Sequence, residues 1–107
     1  MATHAAQPSQ NDPTRVDANH YTIELETEQV RVLRAKYGPG EKSEMHAHPA
    51  LIGVMVTDGH IRMSYPDGRS EEIVAKAGDV LSMPATVHCP ENLTGEPFEV
   101  VLIELKK

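Results

Sequence analysis

A chain of 107 residues is enough for one domain, and a domain of this size buries only roughly 60–70 % of its unfolded surface, so its core is modest. The net charge of −6, with no cluster of basic residues, argues against nucleic acid or an anionic membrane as partner. The longest apolar run, Leu51 to Val56, falls far short of the roughly 20 residues of a membrane-spanning helix, the N-terminus lacks the apolar centre of a signal peptide, and the single cysteine has no internal disulfide partner, so the expected setting is cytoplasmic.

Residues 1–19 hold prolines, Gln, Asn and Asp among scattered small apolar residues, too little to offset the entropy of ordering, and are expected to form a disordered tail. From residue 20 to 107 short β-rich runs alternate with turn signals. Tyr21 to Glu26 and Gln29 to Tyr37 precede Gly38-Pro39-Gly40; Ser43 to His48 and Leu51 to Thr57 precede a hairpin expected at Asp58-Gly59; Ile61 to Tyr65 and Arg69 to Ala75 flank Pro66-Asp67-Gly68. After Ala77-Gly78-Asp79 come Val80 to Met83, Thr86 to Cys89 and Phe98 to Leu105, and no segment has a useful helical period. Many short strands with evenly spaced Gly and Pro turns predict an all-β sandwich or barrel, and the strand count suits a single-domain jelly roll.

Side chains two apart on a strand share a face, so His46 and His48 can reach one ion while Ala47 points away. A third imidazole, His88, arrives from a separate strand bounded by Gly78-Asp79 and Pro84, and each of the three offers a neutral nitrogen lone pair to a divalent cation. Three such ligands leave coordination positions open for water or substrate. His4, His20 and His60 stand outside this pattern and read as solvated or structural. Cys89 adjoins His88, but adjacent strand residues face opposite sides, so it reads as a small buried apolar group and not as a catalytic thiol.

These runs resemble the two motifs of the cupins. Gly40, five residues, His46-Ala47-His48 and a closing Gly59 follow the first, with Ile52 where the family carries a metal-binding Glu; Gly78, Pro84, His88 and Asn92 follow the second, with Thr86 where the pattern has Gly and one residue fewer between Pro84 and His88. The resemblance covers about residues 29 to 107 and is to small single-domain bacterial cupins, some of them associated with β-alanine degradation. It implies a double-stranded β-helix and one divalent metal on His46, His48 and His88, with Fe(II) favoured over Zn, Ni or Mn. It also implies a homodimer. Cupins lacking the motif Glu include three-histidine iron dioxygenases, so the resemblance implies such an enzyme acting on a small organic substrate. The alternatives are a non-catalytic module that binds a metal or small ligand, and a metal-dependent isomerase or epimerase.

Strand parity extends the candidate pocket. Glu44 shares the histidine face as a polar neighbour, although about 6.6–6.8 Å along the strand puts it beyond direct ligation. Parity carried on from Ile52 turns Val54 and Val56 inward, and makes Ile52→Glu the change expected to add a fourth ligand. Across the Asp58-Gly59 hairpin Met63 and Tyr65 join that wall, and Met83, before Pro84, stands near the mouth. Arg34 shares a parity with Val30 and Val32 and is the candidate inward cation for an anionic substrate. The last strand is apolar on both faces, Phe98, Val100 and Leu102 on one and Val101, Ile103 and Leu105 on the other, more than one small domain covers, which also predicts a homodimer.

Overall fold

The computed structural model describes residues 11–106. One helical turn, α1 (Pro13–Val16), precedes nine strands: β1 (Tyr21–Glu26), β2 (Val30–Tyr37), β3 (His46–His48), β4 (Leu51–Met55), β5 (Gly59–Ser64), β6 (Ser70–Ala75), β7 (Val80–Met83), β8 (Thr86–Asn92) and β9 (Phe98–Leu105). They form a five-stranded sheet ordered β1-β2-β9-β4-β7 and a four-stranded sheet ordered β3-β8-β5-β6, with antiparallel pairing throughout. Leu33, Leu51, Val100 and Leu102 from the first sheet and Ile61, Met63 and Ala75 from the second share one buried cluster, so the two sheets close over a single core. Tyr37 stacks on Phe98 within it, ring centroids 4.8 Å apart. This is the expected jelly roll, a double-stranded β-helix.

The part of the expected tail that is described is folded, while residues 1–10 lie outside the described residues. Asp12 caps α1 through Thr14 N–H at 2.9 Å, Pro13 supplies the fixed first helical position, and Asp12, Pro13 and Asp17 are buried. The amide of Ala47 donates to the Asn11 carbonyl at 2.8 Å, which pins the segment along β3, and His20 stacks on Tyr37 at 4.2 Å. Four residues of helix give no periodic signal to read, and it is the cap and the docking that hold them.

The expected hairpin at Asp58-Gly59 does not form. β4 pairs with β7 and β9, whereas β5 pairs with β6 and β8, so residues 56–58 carry the chain from one sheet to the other. The Met55 amide meets the Asp79 carbonyl at 2.9 Å, and Gly78 N–H returns to the Met55 carbonyl at 2.8 Å from a φ of 90° that a residue with a Cβ adopts only under strain.

Parity also changes at such corners. β4 buries Leu51, Gly53 and Met55, which puts Ile52 and Val54 on the outer face and leaves Val56 exposed, the reverse of the expected phase. Pro49 and Ala50 take the chain between sheets after His48, and alternation cannot be counted through a corner. Arg34 likewise faces outward, paired with Glu24 at 3.2 Å and with Glu99, and the cation on the inner face of β2 is Arg31. The parity read for β9 holds: Phe98, Val100 and Leu102 are buried while Val101 and Ile103 are half-buried on the outer face. There Ile103 lies between Val32 and Ile52, and Val101 adjoins Val54.

Candidate metal centre

β3 and β8 are antiparallel neighbours with His46 directly opposite His88, so the two motifs meet across one strand pair. All three imidazoles are buried, His46 completely, and one nitrogen from each lies within 4.8 Å of the others. Their rings meet edge-on, with centroids 4.9, 4.9 and 5.2 Å apart.

Two of the rings have their protons placed by acceptors that cannot donate. The backbone carbonyl of Glu44 takes His46 Nδ1–H at 2.8 Å, and the Glu104 carboxylate takes His48 Nδ1–H at 2.6 Å. Each therefore presents a bare Nε2. Burial first, and His48 beside it next, hold the His46 pKa down at about 4; burial, His46 and His48 hold that of His88 at about 3. His88 Nδ1 is buried without a hydrogen-bond partner among the described residues. Neutral imidazoles with fixed lone pairs and an orphaned buried nitrogen fit a divalent cation, which would be held by His46, His48 and His88.

Glu104 was not legible as part of the site, yet a signal existed: it shares the buried face of β9 with Phe98, Val100 and Leu102, where an acid requires a partner. Its partners are His48 and Arg31, whose Nη2 and Nε reach Oε1 at 2.9 and 3.0 Å. Arg31 in turn holds Asp12 at 2.7 Å. Tyr21 is the other residue missed. Its hydroxyl lies 3.2 Å from His46 Nε2 and 2.7 Å from the Tyr37 hydroxyl, and burial pushes its pKa well up.

A cavity of about 50 Å3 adjoins the histidines, lined by Tyr21, His48, Leu51, Met63, Met83 and His88. That is room for a few water-sized groups. Outside it, an open groove of about 810 Å3 runs past Tyr65, Ile73, Leu81, Met83 and Thr86. Of the sequence candidates, Met63 and Met83 line the cavity, and Met83 belongs to both spaces. Tyr65 lines only the groove, hydrogen-bonded to Glu71. Glu44 turns its side chain to solvent and serves the site through its carbonyl. Ile52, Val54 and Arg34 lie on the far side of the five-stranded sheet. The Cys89 thiol donates to the Ser43 carbonyl at 3.0 Å, and the Asn92 amide, part of a glycosylation sequon, is buried and donates to the Gly38 and Glu96 carbonyls.

Two facing sheets with a cluster of three buried histidines define a small β-helix protein with a site that could hold one ion. The chain belongs to the cupin family, since the profile described as a cupin domain matches residues 33–104. It is similar in structure to a cupin domain from Bordetella pertussis Tohama I, with TM-score 0.75 and 27 % identity over 81 % of this chain and 92 % of that one. An uncharacterised conserved protein with a double-stranded β-helix domain from Klebsiella pneumoniae gives 0.64 and 23 % over 96 % and 84 %; the polyketide cyclase RemF from Streptomyces resistomycificus gives 0.60 and 15 % over 81 % and 64 %, a likeness of fold alone. Nothing in these likenesses supports the association with β-alanine degradation. No curated protein matches the chain.

Replacing Glu104 by Gln, which keeps the shape but weakens the acceptor on His48, should lower zinc affinity about tenfold to a hundredfold in competition with a chromophoric chelator. Unchanged affinity in a folded variant refutes the role assigned to that carboxylate. The metal-free protein should also be acid-sensitive. Unfolded, His46 and His88 take up protons near the ordinary value of 6.5; folded, they do so only near 4 and 3, so the unfolded state binds more protons between those limits and stability falls as pH drops. His20 acts in the opposite sense, since burial lowers its pKa but hydrogen bonds to Asp17 and Glu41 outweigh that and raise it, so the comparison belongs in His20→Gln. There the unfolding free energy from urea titration should decline from pH 7 to 4.5 by about 2–5 kcal/mol, each of the two histidines contributing on the order of 2.5 kcal/mol at full shift.

Proposed function

We propose that this protein is a mononuclear metal cupin in which His46, His48 and His88 hold one divalent ion, Fe(II) by preference, and that it is a dioxygenase acting on a small organic substrate. The observation that carries the reading is the set of three buried imidazole nitrogens within 4.8 Å, two of them with the lone pair fixed by an acceptor on the opposite ring nitrogen. A bound Fe(II) would supply open positions at which O2 and substrate meet. The residues contribute the rest: Glu44 and Glu104 orient two ligands, Leu51, Met63 and Met83 exclude water, and the groove beyond Met83 admits a small molecule.

An isomerase or epimerase needs a free base to move a proton, and the carboxylate hydrogen-bonded to His48, that of Glu104, is also engaged by Arg31. A non-catalytic binding module remains the second reading, favoured by the small size of the inner cavity. A cytoplasmic setting belongs to the proposal, supported by the single buried cysteine.

Protein purified without chelator should carry close to one equivalent of metal, iron foremost, and His46→Ala, His48→Ala and His88→Ala should each lose most of it while circular dichroism stays unchanged. Undiminished metal in all three removes the reading. An oxygen electrode with a panel of small organic acids and thiols then separates the classes: consumption dependent on Fe(II) supports the dioxygenase, and its absence across the panel with metal bound leaves the binding module.

The proposal includes a homodimer with a second copy on the outer face of the five-stranded sheet, supported by the row Val32, Ile103, Ile52 that crosses three strands, with Val101 and Val54 beside it. Ile103→Glu would then bury an unpaired charge and should shift the mass measured by light scattering from dimer to monomer. A monomeric wild type sinks the dimer.

A further inference from the structure

Tyr21 opens β1 and is buried among the histidines, its ring edge-on to His46 with centroids 4.9 Å apart and to Tyr37 at 6.0 Å. Packed in this way the ring is fixed, and only its hydroxyl proton is free to turn. The proton positions follow by elimination. His46 Nδ1–H is committed to the Glu44 carbonyl, so Nε2 is bare and the Tyr21 hydroxyl donates to it; Tyr37 then donates to the Tyr21 oxygen. Burial keeps both phenols protonated.

The lone pair of His46 is thus claimed twice, by Tyr21 and by the cation the site is read to hold. A cation that takes it deprives a buried O–H of that acceptor, in a cavity where, besides Tyr37, His48 and His88, the lining is apolar, with Leu51, Met63, Met83 and Phe98 among it. The spacing says where the new acceptor lies. Two donor atoms on one ion at about 2.0–2.2 Å each stand roughly 2.9–3.5 Å apart in octahedral or tetrahedral geometry, and Tyr21 Oη is 3.2 Å from His46 Nε2. At that spacing the hydroxyl would stand among the positions around the ion that the three histidines leave open, within hydrogen-bond reach of an oxygen held in a neighbouring one, on a centre where position 52 holds Ile and faces outward.

We propose that Tyr21 is a ligand-recognition residue of this centre: its hydroxyl donates a hydrogen bond to an anionic oxygen, of the carboxylate or enolate class, held in an open position beside His46. This rests on the three-histidine metal reading and specifies what that site selects. A neutral phenol stabilises a negative oxygen more than a neutral one, so the site prefers small organic acids over neutral molecules of the same size.

The test uses cobalt as the metal and formate as the probe, the latter small enough for the inner cavity. Cobalt(II)-loaded wild type, Tyr21→Phe and Tyr37→Phe are titrated with formate, with binding read from the visible cobalt spectrum and cobalt affinity measured separately by chelator competition. Tyr21→Phe should weaken formate binding about tenfold, the worth of one charge-assisted hydrogen bond, while cobalt affinity stays within threefold. Tyr37→Phe, which keeps the Tyr21 hydroxyl and controls for disturbed packing, should weaken formate binding less. Equal formate affinity in Tyr21→Phe and wild type overturns the proposal, the proton having turned back to Tyr37. A tenfold or greater loss of cobalt affinity in Tyr21→Phe also overturns it, by making the phenol oxygen a ligand of the ion. A wild type that takes up no cobalt fails before formate is added, and takes down the metal reading itself.

Discussion

Buried imidazoles a few ångströms apart cannot readily carry charge together, and much of this structure serves that condition. Ring centroids about 5 Å apart would set charged rings against one another with little solvent between them, and burial would add its own penalty. The chain meets the condition in two ways. It buries the rings deeply enough that protonation is driven down to about 4 at His46 and about 3 at His88, and it gives His46 and His48 acceptors that hold the remaining proton on Nδ1. What is left is a set of lone pairs facing one another, unfavourable in isolation and suited to a cation.

One of those acceptors brings a second constraint. Glu104 is a buried acid at the C-terminal end of the core face of β9, and such a group is tolerated only when paired and hydrogen-bonded. Arg31 takes one of its oxygens and His48 the other, and Arg31 is itself held by Asp12, the residue that caps α1. The N-terminal segment is thereby connected to the histidine cluster through three consecutive charged or polar contacts. Its docking also protects β3, a strand of three residues whose Ala47 amide is taken by the Asn11 carbonyl. So short a strand needs such support to keep two histidines in register.

The two sides of the five-stranded sheet divide the work. The inner face carries Leu51, Gly53, Met55, Phe98, Val100 and Leu102 and closes the barrel; the outer face carries Ile52, Val54, Val101 and Ile103, apolar and remote from the histidines. The loss of the family's glutamate is read differently once this is seen. At position 52 an outward isoleucine serves the sheet surface, and the carboxylate nearest the histidines comes from the neighbouring strand, where Glu104 pairs with Leu51 and touches His48 through its far nitrogen.

The sequence by itself determined what depends on short stretches of backbone. Alternation and Gly or Pro punctuation placed the strands, Val80–Met83 and Phe98–Leu105 to the residue, and the His46-Ala47-His48 spacing gave a two-pronged group because successive side chains on one unbroken strand must point to opposite faces. The turn-bounded stretch around Pro84 offered His88 as a third ligand, and the motif resemblance gave the family. Tertiary structure decided what lies beyond the next corner. Parity is a local property and ends wherever the chain changes sheets, which is why Ile52, Val54 and Val56 were assigned to the wrong face after Pro49-Ala50 and a hairpin was read at Asp58-Gly59. Tyr21 and Glu104 reach the site from 25 and 56 residues away from the histidines they touch, along strands whose own residues carry no motif. Only the hydrogen-bonded order of strands, set by burial of the whole sheet, could bring them there.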